Sequence, residues 1–268
     1  MPEITTPICA HLHYMKMGSG PVAILLHGFP ESSALWRNVW DELAASFTLI
    51  IPDFPGSGNS SLEKGTSIVE MAECVKSIMD QEHIDKAVIA GHSMGGYVGF
   101  AFAETYPDKV CGLSLVHSTP RADDEEKKES RRKSIGLIKK GAKKMFITQM
   151  VPNLFSDVFK RSCPMDIEEQ VALALKINDE SLINFYNAMI ERKDYLGVLS
   201  SVQFPIQWVI GIEDNIIYYK KILEFCHKSG INFVTFYSNC GHMSMLEAPR
   251  QLATDLKTFI NYSYKYRS

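Results

Sequence analysis

The sequence has no long hydrophobic run. Nowhere among its 268 residues do about 18 apolar residues follow one another, so no membrane-spanning helix is expected. The opening MPEITTPICA lacks a charged segment followed by an apolar one, so a secretory signal is not expected and the cytoplasm is the expected compartment. An excess of one charge is also missing. Lys and Arg number 28 against 31 Asp and Glu, a formal net charge of −3, and no basic face marks a nucleic-acid partner. The six cysteines (Cys9, Cys74, Cys111, Cys163, Cys226, Cys240) form no C-x-x-C pair. That spacing excludes a zinc site of the usual kind and argues against a disulfide framework, leaving them as small buried hydrophobes. Neither a metal nor an organic cofactor is expected, and the role of Cys240 stays open.

What is present is apolar residue in quantity, 46% of the chain, arranged in a rhythm. Residues 8–17 alternate and predict an edge strand. The runs at 22–26, 47–51, 87–90 and 113–116 are short and continuously apolar, as in strands buried on both faces. Helical spacing separates them at 31–45, 67–82 and 94–106. From Arg121 to about Leu199 the strands stop. This stretch opens with RADDEEKKESRRKS, read as a solvated helix face with Asp124–Lys128 and Glu129–Lys133 at i,i+4 spacing. Strands return at 206–210 and 231–236, and a last helix is expected over about 248–262. The fold class is therefore α/β, a mostly parallel sheet flanked by helices. The expected division is a core of 1–118 and 200–268, with 119–199 inserted as helices after strand 6.

GHSMGG, at 91–96, lies between an apolar strand and a helix. A serine hydroxyl is a weak nucleophile until a base takes its proton. In the G-x-S-x-G spacing the serine sits on a sharp strand-to-helix turn, and glycines remove side chains that would clash there. Ser93 is the expected nucleophile, and the Met94 amide at the helix start is an expected oxyanion donor. A second donor is expected from His27-Gly28-Phe29-Pro30 after the first buried strand. Phe29 is chosen, since Pro30 has no N–H; His27 is expected to order the loop. Gly211-Ile-Glu-Asp214 puts carboxylates at a strand's C-terminal end, with Asp214 as the acid and Glu213 as the fallback. His242, in the loop before the last helix, is the expected base.

Together HGFPESSALW (27–36), DFPGSGNS (53–60), GHSMGG (91–96), VIGIED (209–214) and SNCGHMSMLEAP (238–249) resemble the α/β-hydrolase superfamily, capped type. The resemblance implies the α/β-hydrolase fold, with the 119–199 helices as a cap over the site. It implies hydrolysis of a small or medium carboxylic ester or lactone through an acyl-enzyme intermediate at Ser93, His242 and Asp214. The partner implied is a small-molecule ester or related acyl substrate, with no membrane and no nucleic acid, in a monomer or homodimer. Trp36, His117, Phe146, Phe155 and Met243 are the expected pocket residues. The family's epoxide hydrolases and haloalkane dehalogenases share an HGFP-like opening but place Asp at the nucleophile. Its carbon–carbon hydrolases usually carry an HGxGPG-type opening. Cofactor-free haloperoxidases and esterases look more similar, though they often have a proline shortly after the acid where this chain has Asn215-Ile-Ile-Tyr218. The alternatives are a ligand receptor with little turnover, or a carbon–carbon hydrolase, lyase or perhydrolase at the same triad.

Overall fold

A computed structural model describes residues 2–267. The strands are β1 (Glu3–Ile4), β2 (Leu12–Met17), β3 (Val22–Leu26), β4 (Thr48–Pro52), β5 (Ala87–His92), β6 (Val110–Val116), β7 (Ile206–Gly211) and β8 (Asn232–Tyr237). They form one sheet in the order β1-β2-β4-β3-β5-β6-β7-β8. β2 is antiparallel to both of its neighbours, and every pairing from β4 to β8 is parallel. β5 and β6 are buried along their whole length, as their unbroken apolar runs require. β8 is the outer strand, and its side chains alternate in exposure.

Helices α1 (Arg37–Ala44), α2 (Ile68–Gln81) and α3 (Met94–Thr105) connect the first parallel strands. Ser67 and Glu70 start α2 with a capping box, each side chain bonding the other's amide. Helices α4 (Glu125–Lys139), α5 (Lys143–Met150), α6 (Asp157–Ser162), α7 (Pro164–Lys176), α8 (Asp179–Glu191) and α9 (Leu196–Ser201) all fall between β6 and β7. α10 (Tyr219–Leu223) precedes β8, and α11 (Ser244–Glu247) and α12 (Pro249–Arg267) end the chain. Among the described residues no helix is long and apolar enough to cross a membrane.

Three expectations need correction. Residues 8–17 do not form an edge strand. The Thr6 hydroxyl accepts the Cys9 amide at 2.9 Å and closes a turn, so the strand begins only at Leu12, and β1 covers its outer side by pairing Glu3 with His13. Residues 31–45 are not one helix: a 3-10 turn, Ser33–Trp36, comes first, its start fixed by the Ser33 amide donating to Asp53 at 2.7 Å. The charge run lacks its i,i+4 pairs. Asp124 instead caps α4 by accepting the Lys127 amide at 2.9 Å, and Lys128 and Arg132 pair three residues back with Glu125 and Glu129. Such exposed pairs contribute little to stability.

Candidate active site

Ser93 stands between β5 and α3 with φ 49° and ψ −112°, a left-handed backbone that a non-glycine residue adopts only where its surroundings force it. The Ser93 amide donates to the Val116 carbonyl at 3.0 Å, and the Ser93 carbonyl accepts from the Gly96 amide at 3.0 Å and the Ser118 hydroxyl at 2.7 Å. A Cβ on Gly91 would lie 2.4 Å from the Gly95 carbonyl oxygen, and one on Gly95 would lie 2.5 Å from that of Leu26. Gly96 is needed for a different neighbour than the sheet, because its Cβ would lie 2.2 Å from the Ser118 hydroxyl.

The Met94 amide opens α3 with no hydrogen-bond partner among the described residues, and neither has the Phe29 amide. Both donors are therefore available beside the turn. His27 holds the loop around Phe29. Its Nε2 accepts the Phe54 amide at 3.0 Å, so Nδ1 carries the proton and donates to the Gly28 carbonyl at 2.8 Å. That fixes a neutral tautomer, and burial pushes its pKa down. His27 thus ties the Phe29 loop to the DFPGSGNS loop, as expected from its place in the sequence.

At the end of β7, the Asp214 Oδ1 atom accepts the Ile216 and Ile217 amides at 2.8 and 2.9 Å. These two bonds shape the loop without the proline that similar proteins often carry. Oδ2 accepts from His242 Nδ1 at 2.7 Å. Burial alone would raise the Asp214 carboxyl, but the facing imidazoles of His242 and His117 outweigh it and hold it well below the ordinary carboxylate range. Glu213 points away, accepting the Asp157 amide at 3.2 Å. His242 follows β8 in a loop gathered by Glu247, whose carboxylate accepts the amides of Gly241, Met243 and Ser156. The His242 amide donates to the Leu154 carbonyl at 2.7 Å, so the helical insertion reaches this loop through its main chain. Cys240 is buried there, and burial raises its thiol pKa. His242 Nε2 and Ser93 Oγ have no hydrogen-bond partner among the described residues.

A second histidine–carboxylate pair lies beside this one, and the sequence reading did not assign it. His92, the residue before Ser93, directs Nδ1 to Glu31 Oε2 at 2.9 Å and Nε2 to the His242 carbonyl at 2.9 Å. Both partners are acceptors, so both ring nitrogens donate and the ring is an imidazolium. Burial opposes that charge, but Glu31 outweighs it and raises the His92 pKa, while His92 lowers that of Glu31. Glu31 Oε2 also accepts the Gly28 amide at 2.8 Å. One buried pair therefore joins the Phe29 loop, the strand leading to Ser93 and the His242 loop. The E in HGFPES and the H in GHSMGG were visible as letters, but only the fold brings them together.

The expected pocket residues separate. Trp36 is fully buried in the core. His117 sits on the acid side, its Nδ1 3.3 Å from Asp214 Oδ2 but out of line for a hydrogen bond, and burial pushes its pKa down to about 4. Phe146, on α5, packs against Tyr186 with ring centroids 6.0 Å apart. Phe155 stacks on Phe159, and Met243 is buried beside His242. Phe185 and Tyr186 of α8, not singled out for contact with the loop, meet the Phe29 ring at 6.3 and 4.5 Å. His117, Asp214 and His242 place ligand-type atoms within 4.8 Å of one another. Both Asp214 oxygens already accept N–H donors, which is the environment of a hydrogen-bonded acid.

Residues 21–137, from just before β3 to late in α4, match the family described as alpha/beta hydrolase fold. The chain is 39% identical over 110 residues to the soluble epoxide hydrolase of Corynebacterium sp. (strain C12), covering 41% of this chain and 38% of that protein. It is 36% identical over 107 residues to the pimeloyl-(acyl-carrier protein) methyl ester esterase of Aeromonas salmonicida (strain A449), covering 39% and 41%. These matches span about two fifths of each of those relatives. A solved thermophilic esterase from Thermogutta terrifontis superimposes with a TM-score of 0.90 at 26% identity, covering 94% of both chains. With its sheet order, its strand-end loops and these likenesses in agreement, the chain is an α/β-hydrolase-fold protein.

Proposed function

We propose that the chain is a serine hydrolase of small or medium carboxylic esters or lactones. The observation that carries this reading is the approach of His242 Nδ1 to Asp214 Oδ2 at 2.7 Å in a site that also holds Ser93 on its left-handed turn. Ser93 attacks the acyl carbonyl, and His242 takes its proton and returns it to the leaving alcohol. The Phe29 and Met94 amides, both without partners among the described residues, hold the oxyanion. Water activated by His242 then frees the acyl group, and Asp214 stabilises the imidazolium in both steps. Residues 119–199 act as the cap that selects substrate, and 1–118 with 200–268 form the core. A serine at position 93 separates the chain from family members with an aspartate nucleophile.

The test is hydrolysis of p-nitrophenyl esters from acetate to octanoate by wild type and Ser93→Ala. Turnover by wild type and a loss of roughly 10⁴-fold or more in the variant are expected, by comparison with nucleophile deletions in serine hydrolases. Failure of the folded wild type on every ester, or a Ser93→Ala variant as active as wild type, overturns the proposal.

A further inference from the structure

Part of the charge run that opens the insertion does not face solvent. Asp123 and Arg131 turn inward and meet Arg192, which follows α8. Asp123 Oδ1 accepts from Arg192 Nη2 at 2.9 Å, and Oδ2 accepts from Arg131 Nε at 2.5 Å. The Asp123 and Arg192 side chains are each 1% exposed and that of Arg131 is 12% exposed. Arg192 is bonded through both of its Nη atoms. It donates to the Met189 and Arg121 carbonyls at 2.8 and 2.9 Å, and its guanidinium carbon lies 3.9 Å from the centre of the Tyr97 ring. Arg131 makes only the bond to Asp123. Among the described residues neither of its Nη groups has a hydrogen-bond partner. One carboxylate thus serves two guanidiniums, and the cluster keeps one positive charge. Arg131 is only partly buried, so its free Nη edge is open to a small anion at the cost of little more than displaced water, and the described residues supply none.

The position of Arg131 indicates which anion. Its guanidinium carbon lies 5.7 Å from the centre of the Tyr186 ring, and Tyr186 packs on Phe29 in the oxyanion loop. Through Asp123, Arg131 is joined to Arg192, which lies over the Tyr97 ring. Tyr97 is one helical turn beyond Ser93 on α3, and helix side chains lean toward the N terminus, here toward the elbow. Arg131 is therefore linked on one hand to the aromatic cover of the oxyanion loop and on the other to the nucleophile's helix.

We propose that Arg131 recognises a free carboxylate on the substrate, so that the site takes half-esters or lactones bearing a second, ionised carboxyl group. This rests on the ester-hydrolase reading above. The free Nη edge of a guanidinium matches a planar carboxylate. A single negative charge balances the cluster, whereas a phosphate dianion would reverse its sign. The cap then selects by charge as well as by size.

The experiment compares kcat/KM for mono-p-nitrophenyl esters of succinate, glutarate and adipate with neutral p-nitrophenyl esters of the same chain length. Wild type is expected to favour the anionic member by at least tenfold. In Arg131→Met, which leaves Asp123 and Arg192 paired one to one, that ratio is expected to fall at least tenfold. A purely structural Arg131 would lower both rates together and leave the ratio unmoved, which would overturn the proposal. A wild type that prefers the neutral esters would overturn it as well. A wild type inert toward both kinds refutes the hydrolase reading itself, and the two failures are distinct. Should Arg131→Met not fold, wild type alone decides at matched ionic strength. Glutarate must raise its melting temperature more than butanoate does, and equal shifts overturn the proposal.

Discussion

Replacing Glu31 by Gln removes the counter-ion of the buried His92 imidazolium with little change in shape. A neutral His92 has one N–H, so it cannot donate to both residue 31 and the His242 carbonyl. One of two charge-assisted bonds, of 2.9 Å each, is lost. The expected cost is about 2–4 kcal/mol, the range for a charged hydrogen bond lost in a buried pair. For a chain of this length that lowers Tm by roughly 2–4 °C per kcal/mol. The loss depends on pH in a definite sense. The raised His92 pKa contributes stability that is complete below the unfolded histidine value and disappears as pH rises through the folded one. The lowered Glu31 pKa contributes stability above its unfolded value that disappears on acidification through the folded one. Wild type should therefore exceed Glu31→Gln most at mildly acidic pH, and the gap should close on the alkaline side. Thermal melts of the two proteins across pH measure the effect. A variant whose Tm difference is flat from pH 5 to 9 would refute the imidazolium assignment.

Asp214→Asn keeps the loop bonds of Oδ1 but removes the charge that holds His242 in its working tautomer, and kcat should fall by roughly 10³–10⁴-fold on the best ester with little loss of stability. Comparable turnover in this variant would count against the triad. Gly95→Ala should yield protein that fails to fold or melts far below wild type, since its Cβ would meet main-chain oxygens at 2.5 and 2.6 Å that have nowhere to move. A melt within a few degrees of wild type would contradict the close packing of the Ser93 turn on the main chain of Leu26 and His27.

The strands and the strand-end positions of Ser93, Asp214 and His242 were legible because each is written locally. β5 and β6 are unbroken apolar runs, and Ser93, Asp214 and His242 each follow a strand within its own motif. The polar network behind them was not legible. Glu31 and His92 are 61 residues apart, and nothing in either neighbourhood says that one will charge the other. Asp123 and Arg131 look like their solvated neighbours in RADDEEKKESRRKS. Their burial is decided by Arg192 and Tyr97, which arrive from elsewhere in the chain. Hydrophobic periodicity predicts which face of an element is apolar, but it carries no information about a charge turned inward to meet another. Trp36, an aromatic near a functional loop, is fully buried, as large apolar side chains are where burial is most stabilising.

The bonds from the insertion to the His242 loop also bear on how a substrate gets in. On that side the Leu154 carbonyl holds the His242 amide, and the Ser156 amide is held by Glu247. On the other, the insertion is tied to α1 by the partly exposed pair of Arg37 and Glu169, next to a cleft of about 360 Å³ between Pro30–Leu62 loop residues and α7. An outward swing of the whole insertion would pull on the main chain of His242, whereas a swing about 154–156 would spare that bond but break the Arg37–Glu169 pair, the bond from the Thr66 amide to Asn184 at 2.6 Å and the packing of Tyr186 on Phe29. Residues 154–156 therefore couple any displacement of the insertion to the loop that carries His242.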